Sequence, residues 1–200
     1  MNEAIKSKLI IRPVNLKDIP SLIKIHLSSF DEDHFSTKFN EGMLIDYFRT
    51  LISYNNHSYV ASDESTNEIF GFISAGDKTK SAIDTFVRNN RWDVLKILLK
   101  NPKFIFEKIV EIFSNLFDYP ASSKTLIRLF IIAVAQNQKG KGIGKSLVNG
   151  FEKKLIDCGY SEYGLSVRKT NTKAIYFYSK NNYLRYYENR KSIFFIKYLK

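Results

Sequence analysis

Between Leu126 and Gly159 the chain passes through three textures in a fixed order. An apolar, β-branched run, LIRLFIIAV, ends at Val134; a glycine- and lysine-rich stretch, QNQKGKGIGKS, covers 136–146; and Ile143, Leu147, Val148, Phe151, Leu155 and Ile156 then recur at helical spacing until Gly159. The first composition predicts a buried central strand. The 3.6-residue spacing predicts an amphipathic helix, and the glycine just past its last periodic residue predicts its stop. Strand, glycine loop and helix in that order confine the chain to α/β architectures and place the glycines at a helix N-terminus. There the first N–H groups lack intrahelical partners, the macrodipole adds partial positive charge, and glycine lets an anion's oxygens approach without meeting a Cβ. The segment therefore reads as an anion site, although the same glycines also suit a plain strand-to-helix turn.

The spacing excludes two phosphate loops. A GxxxxGK[ST] loop needs glycine where the chain has Lys139, and Gly140 to Ser146 is one residue short. A GxGxxG loop needs glycine where Lys145 or Leu147 stands. Composition agrees with a folded domain: 44% hydrophobic and 26% charged residues over 200 positions suffice for one α/β domain, read as spanning 1–200. Cys158 is the only cysteine, so no disulfide is expected, and no apolar run reaches membrane-spanning length or resembles a signal peptide. A cytoplasmic protein is the expectation. The net charge of +11 is unevenly spread, since residues 121–200 hold 16 of the 31 Lys and Arg but only 4 of the 20 Asp and Glu. That asymmetry fits one part of the protein facing an anion; a solvated basic surface is the simpler alternative.

Elsewhere, Leu9–Val14 reads as a strand, followed by a helix capped by Asn15, and Met43–Ile52 reads as a second helix. Strands are expected around Ser58–Ser62 and Glu68–Ala75 as a hairpin. Residues 77–122 read as an inserted helical subdomain, with helices near Arg91–Lys100 and Pro102–Phe117. A strand over Tyr163–Val167, a short helix over Thr172–Lys180, and paired strands over Tyr183–Tyr187 and Ile193–Leu199 complete the pattern.

The glycine segment Lys139-Gly140-Lys141-Gly142-Ile143-Gly144 resembles the acetyl-CoA signature of the GNAT family of N-acetyltransferases, Gln/Arg-x-x-Gly-x-Gly/Ala, with lysine at the first position. Downstream, LSVRKTNTKAIYFYSKNNY is similar to the second signature of that family: a strand, an asparagine, and a short helix ending in an aromatic-Tyr pair before Gly-Phe. Asn171, Ala174, Phe177 and Tyr178 hold those places, with Asn182-Tyr183 in place of Gly-Phe. LIIRPVNLKDIPSLIKI and GFISAG look like the family's opening strand and helix and its third strand. The resemblance implies an α/β GNAT fold: a mixed, mostly antiparallel sheet of about seven strands, with strands four and five splayed into a V.

It also implies roles. Acetyl-CoA would be the acyl donor, with no metal. The pyrophosphate would lie on Lys139 to Gly144 together with Lys145 and Ser146, the pantetheine along the backbone of Ile132, Ala133 and Val134, and Asn171 on the opposite wall, where it also suits a helix cap. Tyr178 would protonate the leaving thiolate. An alkylammonium of pKa about 10.4 has to lose its proton first, which costs about 4–5 kcal/mol at pH 7. Relatives place a glutamate on strand four for this, where the chain has Arg128, Leu129 and Phe130. The loop Asp31, Glu32, Asp33, His34 lies by family topology on the acceptor side, and His34 is the candidate base; a solvated loop is the simpler reading of the same residues. The insert resembles that of a bacterial subgroup linked to surface polysaccharides, which makes a nucleotide-linked amino sugar one acceptor; its apolar stripes also suit core packing or a homodimer face. Protein or peptide amines, and a non-catalytic acetyl-CoA-binding protein, are the alternatives. The aromatic and basic YFYSKNNYLRYYENRK raises a nucleic-acid face, against which the glycine loop argues.

Overall fold

The computed structural model describes residues 8–30, 34–102, 104 and 127–200. Seven strands, β1 Leu9–Pro13, β2 His57–Asp63, β3 Ile69–Gly76, β4 Arg128–Val134, β5 Glu162–Arg168, β6 Leu184–Glu188 and β7 Ser192–Tyr198, form one sheet. Their order in space is β1-β2-β3-β4-β5-β7-β6. Neighbours are antiparallel except β4 and β5, which run parallel. The described helices are α1 Ile19–Ser29, α2 Glu41–Tyr54, α3 Thr79–Asn89, α4 Arg91–Lys100, α5 Ile143–Asp157 and α6 Thr172–Lys180.

Local chemistry sets most of these boundaries. Asn15 and Asp18 form a capping box at a short 3-10 turn that leads into α1, and Arg12 clamps Asp18 through bonds of 2.8 and 3.0 Å. Asn40 caps α2 by accepting from the Met43 N–H at 2.9 Å. The β2–β3 hairpin closes where Asp63 Oδ1 accepts from the N–H groups of Ser65 and Thr66.

The region after β3 departs from the sequence reading at one point. A helix precedes Arg91–Lys100: α3 carries Ala82, Ile83, Phe86 and Val87 at helical spacing, but its polar surroundings and the absence of a side-chain cap left its start unmarked in the sequence. The second expected helix, Pro102–Phe117, lies outside the described residues except for Pro102 and Phe104. Phe104 is buried, with its ring 5.3 Å from Phe35.

The sheet carries a hydrophobic cluster on each face. One gathers α1, α2, Phe86 and Val94 against Val60, Phe72, Ile131 and Ala133. The other sets Leu147, Val148, Phe151 and Leu155 of α5 against Tyr59, Ala61, Ile73, Leu129, Tyr163 and Leu165. Alternation of neighbouring residues between faces is the period-2 signature of a strand. In β4 the alternation slips: Leu129 belongs to the α5 face, yet Ile131 and Ala133 belong to the other. The cause is a bulge. Ser74 pairs with Ile131 and Ala75 with Leu129, which leaves Phe130 as the extra residue, 41% exposed. The continuously buried strand expected from LIRLFIIAV is therefore a strand that changes faces midway.

Candidate functional site

Beyond the single pair Arg128↔Gly164, β4 and β5 have no register in common. The two strands thus part into the V expected from the resemblance, and the β5-facing edge of β4 through Ile132, Ala133 and Val134 is left without a strand partner. Backbone N–H and C=O groups on such an edge are free to pair with an extended ligand.

The glycine loop stands at the C-terminal end of β4. A 3-10 turn over Gln136–Gln138 leads to Gly140 at φ 80° and Gly142 at φ 82°. Both lie in the left-handed region, which L-residues with a Cβ enter at a cost, so glycine is required by the path of the chain. A Cβ at either position would meet nothing within 4 Å, so this face of the loop is open. Gly142 is the N-cap of α5, with no side-chain cap and no acidic residue in the first turn. The first helical bond is Ser146 N–H to Gly142 O at 3.0 Å, and among the described residues nothing accepts from the N–H groups of Ile143, Gly144 and Lys145. Lys139, Lys141 and Lys145 are exposed around them and Ser146 is half-buried. Free N–H donors, a helix dipole and three lysines form a cradle for a phosphate-bearing ligand.

Gly144 ties the two signatures together. A Cβ there would lie 3.8 Å from Val134 Cγ2 and 3.9 Å from Phe177 Cε2, which places the end of β4, the start of α5 and the aromatic pair of α6 in mutual contact. Asn171 caps α6 by accepting from the Ala174 N–H at 3.0 Å, so its helix-cap role holds. Tyr178, 5% exposed, stands edge-on to Tyr183 at 4.9 Å and to Phe177 at 5.3 Å. Burial pushes its phenol well above the usual range, so it stays protonated at neutral pH. Behind it, the Tyr183 and Tyr163 hydroxyls are hydrogen-bonded, and Tyr163 donates to Glu152 at 2.7 Å. Asn182, where the family signature has glycine, lies at φ 61°. The position calls for a left-handed residue, and asparagine is among the few side chains that tolerate it.

On the other side of the V, Ser29 at the end of α1 donates to Val134 O at 3.0 Å. His34 follows, half-buried, and Asp31, Glu32 and Asp33 lie outside the described residues. The His34 ring packs 4.7 Å from Phe30, and its Nδ1 lies 2.7 Å from Ser36 Oγ. Ser36 Oγ in turn lies 2.8 Å from Nε2 of fully buried His26. Burial, and then the charge of Arg168 at the end of β5, hold the His34 pKa down to about 4. Sequence reasoning found His34 but not His26, Ser36 or Arg168; ten residues separate His26 from Ser36, and no periodicity joins them. Among the described residues no three His, Cys, Asp or Glu side chains come together as a metal set.

The protein-family model described as "Acetyltransferase (GNAT) family" matches residues 19–183. No curated protein matches the chain. Solved structures share its fold: SsHAT aligns over 96% of this chain and 99% of its own, with 14% identity and a TM-score of 0.68. An N-acetyltransferase from Staphylococcus aureus Mu50 aligns over 97% of this chain and 100% of its own, with 17% identity and a TM-score of 0.58. The PaiA N-acetyltransferase from Thermoplasma acidophilum, in complex with coenzyme A, aligns over 96% of this chain and 99% of its own, at 16% and 0.55. A split between β4 and β5, an uncapped glycine-rich start to α5 and the Phe177-Tyr178 pair beside it are what the family's two signatures require, and the chain belongs to the GNAT acetyltransferase family.

Proposed function

We propose that this protein, as one domain with a helical insert after β3, transfers the acetyl group of acetyl-CoA to a primary amine of a small molecule, by direct attack in a ternary complex. The carrying observation is the junction at Gly144, where the open helix N-terminus meets both Val134 and Phe177. The coenzyme A bound by the PaiA structure supports the choice of donor. Lys139 to Ser146 would hold the pyrophosphate, through backbone N–H groups and lysine charge. Backbone of Ile132, Ala133 and Val134 would align the pantetheine, and an N–H on this edge would meet the carbonyl oxygen as it gains charge. Asn171 would face the cofactor from the far wall, with its side-chain oxygen already used by the cap.

The acetyl donor supplies the thioester; the amine nitrogen bonds to its carbonyl carbon, the carbon–sulfur bond breaks, and the thiolate takes a proton. Tyr178 is proposed to give that proton and to regain one from solvent. Its raised pKa keeps it in the donating form but makes full transfer to a thiolate of pKa about 8.5 uphill, so donation coincides with carbon–sulfur cleavage. His34 is proposed as the residue at the acceptor amine. It is neutral at pH 7, and it acts as a base only in the tautomer whose outward nitrogen is bare.

A nucleotide-linked amino sugar is the acceptor class we favour. Its support is α3 and α4 between β3 and β4, with Phe104 against Phe35 one residue from His34. The test is calorimetric titration with CoA, followed by thiol release across amino-sugar nucleotides, polyamines, amino acids and peptides. Micromolar CoA affinity with turnover on one class establishes the reading, and CoA binding without thiol release on any class replaces it with a non-catalytic CoA-binding protein. Tyr178→Phe is expected to lower kcat about 10²-fold while leaving CoA affinity within about threefold. Collapse of CoA affinity would make Tyr178 a packing residue.

A further inference from the structure

Three side chains next to the acceptor side form a closed hydrogen-bonding problem. Ser36 Oγ lies between His26 Nε2, at 2.8 Å, and His34 Nδ1, at 2.7 Å. Ser36 is 4% exposed and His26 0%, and His26 Nδ1 is buried with no hydrogen-bond partner among the described residues. The serine has a single proton to give, so few arrangements of two neutral rings are available.

If Ser36 donates to His26, then His26 carries its own proton on Nδ1, a wholly buried N–H with no acceptor, which is the rarest kind of unmet group in a folded protein. If both rings donate to Ser36, its hydroxyl proton is stranded as well, since among the described residues no third partner meets Ser36 Oγ. If His26 Nε2–H donates to Ser36 and Ser36 donates to His34 Nδ1, the only unmet group is one bare lone pair on His26. That is the least costly of the three.

We infer that His26 and Ser36 are positioning residues that fix His34 with its proton on Nε2, so that His34 offers the acceptor substrate a neutral hydrogen-bond donor rather than a base. The donor stands at the mouth of the V. Ser29, five residues earlier, is bonded to the end of β4, and the charge of Arg168 at the end of β5 is felt at the ring. Burial holds both rings near pKa 4, so they are neutral at physiological pH and the arrangement persists there. Resting on the acetyltransferase reading, the assignment deepens it: the acceptor carries an oxygen near its amine (a hydroxyl, carboxylate or phosphate) that receives the Nε2–H, as in an amino sugar or an amino acid. The amine then sheds its proton to solvent.

The test needs no ligand. Long-range proton–nitrogen correlation spectra of the imidazoles at pH 7 report which ring nitrogen carries the proton, and with three histidines in the chain, His34→Gln and His57→Gln assign the signals. The expected result is Nε2–H on both His26 and His34, with the His34 Nδ1 resonance displaced as that of a nitrogen accepting a hydrogen bond. Ser36→Ala should remove that displacement and admit the other His34 tautomer, and Ser36→Thr, which keeps the hydroxyl, should restore it. A wild-type His34 protonated on Nδ1 overturns the inference and returns His34 to the role of base. An unchanged Nδ1 signal in Ser36→Ala overturns the role of Ser36. Should Ser36→Ala fail to fold, the wild-type spectrum still decides the tautomer. CoA titration separates this from the acetyltransferase reading, since a protein that binds no CoA can still show the tautomer, and the reverse.

Discussion

At the level of single residues, one position where the chain departs from its family signature has a physical explanation in its backbone. Asn182 stands in a left-handed conformation that glycine also satisfies, so Asn182→Gly should be tolerated within about 1 kcal/mol, whereas Asn182→Val should cost about 1–2 kcal/mol in urea unfolding. Equal destabilisation by both would mean that the asparagine side chain, and not its backbone angle, is what the site uses. Gly142 is more demanding. It has the same handedness but faces open space, so Gly142→Ala should cost about 1–2 kcal/mol and weaken CoA binding by about tenfold, as the loop relaxes away from its angles. Retained CoA affinity in that variant, measured by calorimetry, would remove the loop from the site. These glycines were legible in the sequence because only spacing was needed to find them. The His26–Ser36–His34 chain was not, because it joins a helix to a separate turn through side-chain geometry alone.

Among elements, β4 shows what a sequence pattern conceals. LIRLFIIAV is apolar on both sides of Phe130, so neither period nor propensity betrays the extra residue; only the pairing of Leu129 with Ala75 and Ile131 with Ser74 does. The bulge lets Ile127 and Leu129 face α5 while Ile131 and Ala133 face α1 and α2. Removing the residue is therefore a different perturbation from removing its side chain. Phe130→Ala, at a half-exposed ring, should cost less than about 2 kcal/mol. Deletion of Phe130 removes the extra residue and leaves Ile131 opposite Ser74 and Leu129 opposite Ala75 on their present faces, so the variant should still unfold cooperatively. A deletion variant without a cooperative thermal transition would count against Phe130 as the extra residue of the bulge. The helices divide in the same way: α5 and α6 were readable from periodicity and from Gly159 and Asn171 at their ends, whereas α3, whose apolar residues have no side-chain cap before them to mark a start, was not.

For the whole molecule, the two halves of the sheet are joined by one strand pair and by one hydrophobic cluster. Residues from β2 and β3 share that cluster with Tyr163, Leu165 and Val167 of β5 and Phe195 of β7, all under α5, whereas the opposite cluster draws only on the half that ends at β4. The V thus opens on a framework held from one side, with the basic C-terminal part of the chain bearing the glycine cradle. The other side is closed by α1, which carries His26, and by the turn that His34 opens, and this makes the framework sensitive to acid. Both rings have folded pKa values near 4, against about 6.5 in an unfolded chain. Between those values the unfolded chain binds protons that the native protein refuses, so stability is full above pH 6.5, falls as the pH drops toward 4, and loses nothing further from these groups below it. Burial lowers the His57 pKa as well and adds in the same direction, opposed by Asp77. For His26 alone the loss is on the order of 3 kcal/mol, and His34 adds less than that because its ring is partly solvated and linked to His26 through one serine. Urea midpoints measured from pH 7.5 to 4.5 should fall most steeply between about 6 and 4.5, and His34→Gln should flatten that decline without lowering the midpoint at pH 7.5 by more than about 1 kcal/mol equivalent. A decline confined to pH below 4.5 would assign the acid sensitivity to carboxylates and would leave these histidines titrating as exposed groups.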